Sequence, residues 1–96
     1  MPVRIQVEQI KEGDFQVRVM EGASQSSHRV TVKAADYRRL SGGKAEPQEL
    51  VRRSFEFLLD HERKESILPS FDLMEIQRYF PDFAGEIQRR LLAEKD

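Results

Sequence analysis

The stretch that decides the fold is Val3-Arg4-Ile5-Gln6-Val7-Glu8, followed after Lys11-Glu12-Gly13-Asp14 by Phe15-Gln16-Val17-Arg18-Val19. Apolar and polar residues alternate strictly in both runs. Successive side chains of a strand point to opposite faces, so this period of two predicts strands with one packed and one wet face. Gly13-Asp14 supplies turn chemistry and joins the runs as a hairpin. The polar connection Glu21-Gly22-Ala23-Ser24-Gln25-Ser26-Ser27 reads as a flexible loop. His28-Arg29-Val30-Thr31-Val32-Lys33 then alternates again. Sequential strands usually pair, which gives a three-stranded antiparallel meander over residues 1–33.

Residues 34–96 read as helical. A short helix spans Ala34 to Leu40, and Ser41-Gly42-Gly43 ends it because glycine accepts left-handed geometry. Pro47 suits the first turn of a longer helix. There Leu50, Val51, Ser54, Phe55, Leu58 and Leu59 form a stripe that Phe57 widens. Asp60-His61-Glu62-Arg63-Lys64-Glu65 is too polar to join a core, so residues 60–70 read as the place for a hinge. A third helix begins at Asp72, which caps it while Glu75 reaches back as in a capping box. Phe71 and Ile76 sit at hydrophobic-staple spacing, Leu73, Ile76 and Phe80 share a face, and Pro81 stops the helix. Asp82 caps a last helix with the stripe Phe83, Ile87 and Leu91, and Arg89, Arg90 and Lys95 lie near its negative end.

The fold class is therefore α+β, a three-stranded antiparallel sheet covered on one face by about four C-terminal helices. Ninety-six residues make one domain. The expected core is Ile5, Val7, Val17, Val19, Val30, Val32, Leu50, Val51, Phe55, Leu58, Leu73, Ile76, Phe80, Phe83, Ile87 and Leu91.

Composition excludes several functions. The chain is 39% apolar and 34% charged, which suits a folded, well-solvated protein. It has no cysteine, so disulfides, thiolate catalysis and cysteine-ligated zinc are out. A reducing cytoplasm is the expected location. Met1-Pro2-Val3-Arg4-Ile5-Gln6 has no apolar signal region, and no apolar run reaches the ~18 residues of a membrane span. Net charge is −1, against tight non-specific phosphate binding.

No catalytic constellation emerges. His61 and Glu65 have the i, i+4 spacing of two metal ligands, but no third ligand accompanies them. The serines cluster in turns and form no Gly-x-Ser-x-Gly elbow. Gly42-Gly43-Lys44 lacks the spacing of a phosphate loop. Asp72 and Glu75 are accounted for by capping. Catalytic, metal and cofactor sites are expected to be absent, and no small-molecule ligand is indicated. Arg4, Arg18, Arg29, Thr31 and Lys33 project from the wet side of the strands and are the residues that would meet nucleic acid. No aromatic residues interleave with them for base stacking, so an ordinary polar face is the favoured reading.

Two resemblances attach to these residues. The block Glu65-Ser66-Ile67-Leu68, Phe71-Asp72-Leu73, Ile76 and Tyr79-Phe80-Pro81 resembles a motif of small bacterial proteins without assigned activity. It implies a bacterial cytoplasmic protein and no mechanism. Residues 28–60 resemble, more weakly, a ribbon-helix-helix unit of dimeric DNA-binding regulators, with Arg29, Thr31 and Lys33 at the groove-reading positions. The functional expectation is a non-catalytic binding or regulatory module working through protein contacts. Phe57, Met74, Tyr79 and Phe83 are its partner surface, for a protein partner or a second subunit. The alternative is a ribbon-helix-helix-like transcriptional regulator or antitoxin-type protein.

Overall fold

Period-two alternation is realised as three long strands, β1 (Val3–Lys11), β2 (Asp14–Glu21) and β3 (Ser24–Thr31). The structure is a computed structural model that describes residues 3–43 and 45–93. Met1, Pro2, Lys44 and Lys95, named above, lie outside the described residues. The strands pair antiparallel in sequence order, with Ile5 opposite Val19, Val7 opposite Val17, and Phe15 opposite Val30. Both hairpins close through two residues, Glu12-Gly13 and Gly22-Ala23. Gly13 and Gly22 have φ of 78° and 61°, where a side chain is disfavoured.

The sheet differs from the meander in having a fourth strand. Residues Ser70–Asp72 form β4, which pairs parallel with β3 in the register Arg29–Ser70, Val30–Phe71, Thr31–Asp72. The sheet is thus mixed, in the order β1-β2-β3-β4. A parallel neighbour needs a crossover, which α1 (Ala34–Ser41) and α2 (Pro47–His61) supply. Three residues are too few to show a period, which is why the segment reads as part of a helix start. The loop expected at residues 21–27 is also strand beyond its two-residue turn. Ser24–Ser27 pair with Arg18–Glu21, so backbone partners rather than side-chain pattern hold them. β3 therefore has β2 on one side and β4 on the other. The free strand edge of an intermolecular ribbon is missing there. Lys33 lies beyond β3, at the N-cap of α1.

Helices α1, α2, α3 (Glu75–Tyr79) and α4 (Phe83–Ala93) cover the face carrying Phe15, Val17, Val19 and Val30, all buried. Gly42 ends α1 with φ 66° and donates its N–H to the Arg38 carbonyl. Pro81 follows Phe80, which has left helical geometry at φ −131°, ψ 89°. The capping box is half realised. Glu75 Oε2 accepts from the Asp72 N–H at 3.1 Å, while Asp72 Oδ1 accepts from the Met74 N–H. Since Asp72 belongs to β4, α3 is shorter than expected.

Most of the expected core is buried, with Ile5, Val7 and Phe80 only half-buried against it. Phe15, Leu40, Phe57, Ile67 and Phe71 join it. Residues 60–70, expected to be too polar to join a core, contribute to it. Lys64 and Ile67 are buried within them, and a 3₁₀ turn spans Lys64–Ser66. Lys64 reaches between Glu65 and Glu21, so its ammonium is paired while its stem fills space.

Gly13 fixes where the first hairpin meets β3. Its carbonyl accepts the Val32 N–H at 2.8 Å, and a Cβ there would stand 3.0 Å from the Val32 carbonyl oxygen. Gly13→Ala is expected to destabilise the protein by roughly 1–2 kcal/mol from backbone handedness alone, with the close approach adding to it. Urea denaturation of the two proteins measures the difference.

Candidate functional site

The residues expected to carry function separate into two groups in space. Four of the five on the wet side of the strands do share a face. Arg4, Arg18, Arg29 and Thr31 all point away from the helices, and no helix covers them. Glu8, Asp14 and Asp72 stand on the same face, so its arginines are offset by carboxylates. Arg29 is committed to Asp14 through two bonds of 2.8 Å, from Nε and Nη2. This pair holds the Asp14 carboxyl below its ordinary range and the guanidinium above its own. Lys33 stands 4.0 Å from Asp72. The face is a mixed-charge surface rather than a basic stripe.

The four residues expected at a partner surface do not stay together. Phe57 and Phe83 are 3% and 0% exposed, which removes them from any surface. Phe57 is instead the hub where α2 meets the C-terminal helices. Its ring lies 5.4 Å from Phe83, 5.8 Å from Phe80 and 4.6 Å from His61, with the Arg90 guanidinium 5.8 Å from its centroid. Arg90 also donates to Asp60 at 2.7 Å and Glu86 at 3.1 Å, so one side chain ties α4 to α2. Met74 is half-buried, whereas Tyr79 is 69% exposed.

Tyr79 stands at the rim of a cleft of about 350 Å³ between α2, residues 66–68, β4 and α3. Leu58, Ile67, Phe71 and Ile76 form an apolar floor. The rim carries Leu68, which is 46% exposed, with Glu62, Ser66 and Glu75. Local sequence builds each wall. Phe71 is turned inward by the alternation of β4. Ile76 and Tyr79 share a face of α3 at i, i+3. The 3₁₀ turn ends at Ile67 in extended geometry and so lifts Leu68 to the edge.

His28 pins that edge from inside. It is buried on β3, and its Nδ1 lies 2.8 Å from the Leu68 carbonyl. A carbonyl only accepts, so Nδ1 carries the proton, and in the neutral ring Nε2 accepts from the Ser26 hydroxyl at 2.8 Å. The ring also packs 5.4 Å from Phe55, which in turn lies 6.0 Å from Phe71. Sequence reasoning left out both His28 and the cleft. The available signal was His28 at a position in phase with Val30 and Val32, which places it on the packed face.

Chemically, the cleft offers apolar contact and negative charge. Its lining contains no histidine, lysine or cysteine beside Ser66 to activate it as a nucleophile. Among the described residues, no helix is long and apolar enough to cross a membrane. Compared with known proteins, the chain matches no family, no curated protein and no solved structure.

Two outcomes test this geometry. Phe71→Ala removes a buried ring shared by the sheet and the cleft floor, and is expected to cost about 3–5 kcal/mol in a thermal or urea melt. The second concerns pH. Hydrogen bonds from Arg29, Lys64 and Arg89 hold the Asp14, Glu65 and Glu86 carboxyls, respectively, below their ordinary values. The unfolded chain then binds more protons, so the stability these pairs add is present above the ordinary carboxylate range. It is lost as pH falls through that range, below about pH 4.5. A variant with Asp14→Asn, Glu65→Gln and Glu86→Gln should lose less urea resistance between pH 5 and pH 3 than the parent.

Proposed function

We propose that this protein is a non-catalytic binding module acting through protein contacts, and that the cleft beside Tyr79 takes the partner. The observation that carries the reading is an apolar floor ringed by exposed apolar side chains and carboxylates. Leu68 and Tyr79 present large surfaces to water, and Glu62 and Glu75 stand beside them. An apolar surface rimmed by charge marks an interaction site. The cleft's volume accommodates a few side chains, not a folded face. Its chemistry fits a peptide segment with one or two large apolar residues next to a lysine or arginine, the cation meeting Glu62 or Glu75. The resemblance of the Glu65–Pro81 block to small bacterial proteins names neither a mechanism nor a partner. Reading the sheet face as a nucleic-acid site is less well supported, because its arginines face as many carboxylates and Arg29 is already paired.

The test uses two twelve-residue amphipathic peptides with the same leucines, one flanked by lysines and one by glutamates. Binding to the isotope-labelled protein is followed by NMR. The lysine peptide is expected to shift the amides of Leu68, Ile76 and Tyr79 with micromolar to millimolar affinity. Leu68→Ser or Tyr79→Ser should weaken it about tenfold or more. Both residues are exposed, so both variants should fold. Equal binding of the two peptides, or none at millimolar concentration, would overturn the reading. Salt-sensitive duplex-DNA shifts on Arg4, Arg18 and Arg29 would move the function to the sheet.

A further inference from the structure

β1 is an edge strand nine residues long, and its outer side has no partner in the sheet. Which backbone groups point outward follows from the other edge of the sheet. The Arg29 N–H bonds to Pro69 and the Thr31 carbonyl to Leu73, so the odd residues of β3 face β4. Backbone directions alternate along a strand. The even residues of β3 therefore face β2, through the pairs Val17–His28 and Phe15–Val30. The odd residues of β2 are thereby used, and its even residues bond to β1 through Arg4–Met20, Gln6–Arg18 and Glu8–Gln16. What remains on the outer edge is the N–H and C=O groups of Val3, Ile5, Val7 and Gln9. Among the described residues, no backbone bond joins them to another element.

We propose that this edge pairs antiparallel with β1 of a second copy, with the two-fold axis at Gln6. In this register Val3 bonds opposite Gln9 of the other copy, and Ile5 opposite Val7. All four outward residues are used. The pairs between them are Gln6 with Gln6 and Arg4 with Glu8, twice by symmetry. Such non-bonded pairs bring side chains closest in an antiparallel ladder. Opposite charges therefore meet at both ends of the interface on the wet face. On the other face Ile5 and Val7, each half-buried in one copy, cover one another. Moving the axis to Ile5 sets Arg4 against Gln6, and moving it to Val7 sets Arg4 against Ile10. Neither pairs opposite charges.

The location of the break in the ladder supports the same limits. β1 is regular from Val3 to Gln9, and its irregularity falls between Gln9 and Lys11, just past the last paired residue. The interval Val3–Gln9 contains no proline, and no charged residue on its packed side, to block a second strand. A groove beside this edge, lined by Val3, Ile5, Arg52, Glu56 and Leu59, faces its own copy across the axis. A perpendicular two-fold keeps both helical layers on one side of a continuous eight-stranded sheet.

Sedimentation equilibrium of the full chain between about 1 µM and 1 mM tests the proposal. A reversible dimer is expected. Arg4→Glu and Glu8→Arg each set like charges opposite one another and should raise the dissociation constant tenfold or more. The double exchange, Arg4→Glu with Glu8→Arg, should restore it. Both side chains are exposed, so circular dichroism should be unchanged in all three variants. A monomer throughout the range overturns the proposal. So does a dimer that ignores the single exchanges, or one that the double exchange fails to recover.

Discussion

The structure depends on three residues, Ser70–Asp72, lying parallel beside β3. The Arg29 N–H bonds to the Pro69 carbonyl at 2.8 Å, and the Leu73 N–H to the Thr31 carbonyl at 2.9 Å. Between these bonds Phe71 is turned into the core beside Phe55. This short ladder fixes where the chain goes after α2. It brings Leu68 over His28, sets the start of α3 through Glu75 and Asp72, and leaves the cleft as the space between α2 and the returning segment. A polar contact and an apolar one act together here. The hydrogen bond to the Leu68 carbonyl satisfies the buried His28 ring, which would otherwise be costly to bury, and the aromatic contacts supply the burial.

The same arrangement decides what is left for recognition. Six of the eight aromatic residues lie in the second half of the chain, and most of them are consumed by packing. Phe57 joins four neighbours, and Phe55 and Phe71 hold the sheet to α2. Of the exposed large apolar residues, Val3, Ile10, Leu68, Tyr79 and Leu92 among the described residues, Leu68 and Tyr79 adjoin one cleft. On the other side of the sheet, Arg4, Arg18 and Arg29 share the face with Glu8, Asp14 and Asp72. That face can stay solvated without a covering layer, because antiparallel sheets tolerate one wet side.

How much of this was legible in the sequence depends on element length. The alternations over Val3–Glu8 and Phe15–Val19 are long enough to specify strands, face and pairing. The proline and glycine signals at Pro47, Gly42 and Pro81 placed helix boundaries correctly. Phe71, Asp72 and Glu75 carried a capping pattern whose hydrogen bond from the Asp72 N–H to Glu75 does form, yet Phe71 and Asp72 belong to a strand that ends two residues before the helix. A three-residue strand has no period to read, and its partner residues lie forty-one positions earlier in the chain. Ser24–Ser27 failed for a related reason, since serines pair through backbone alone. For the site, Tyr79 and Met74 were placed at the surface or half-way to it, while Phe57 and Phe83 were not. A helix stripe shows which residues share a face. It does not show that a second helix will cover that face on both flanks. His28 stood in phase with the core valines, but its role depends on the Leu68 carbonyl, which sequence cannot place.

Because the β3–β4 pairing positions both the cleft and the C-terminal helices, backbone amide exchange probes the account most directly. The amides of Arg29 and Leu73 donate across or beside this ladder, while Val17 and Val19 sit in the centre of the meander. By NMR-detected hydrogen exchange, Arg29 and Leu73 should be protected to within about tenfold of Val17 and Val19, opening together with the rest of the fold. Exchange of Arg29 and Leu73 at unprotected rates, with Val17 and Val19 still slow, would contradict it. The fourth strand would then not be part of the folded sheet, and the cleft would lack its fixed wall.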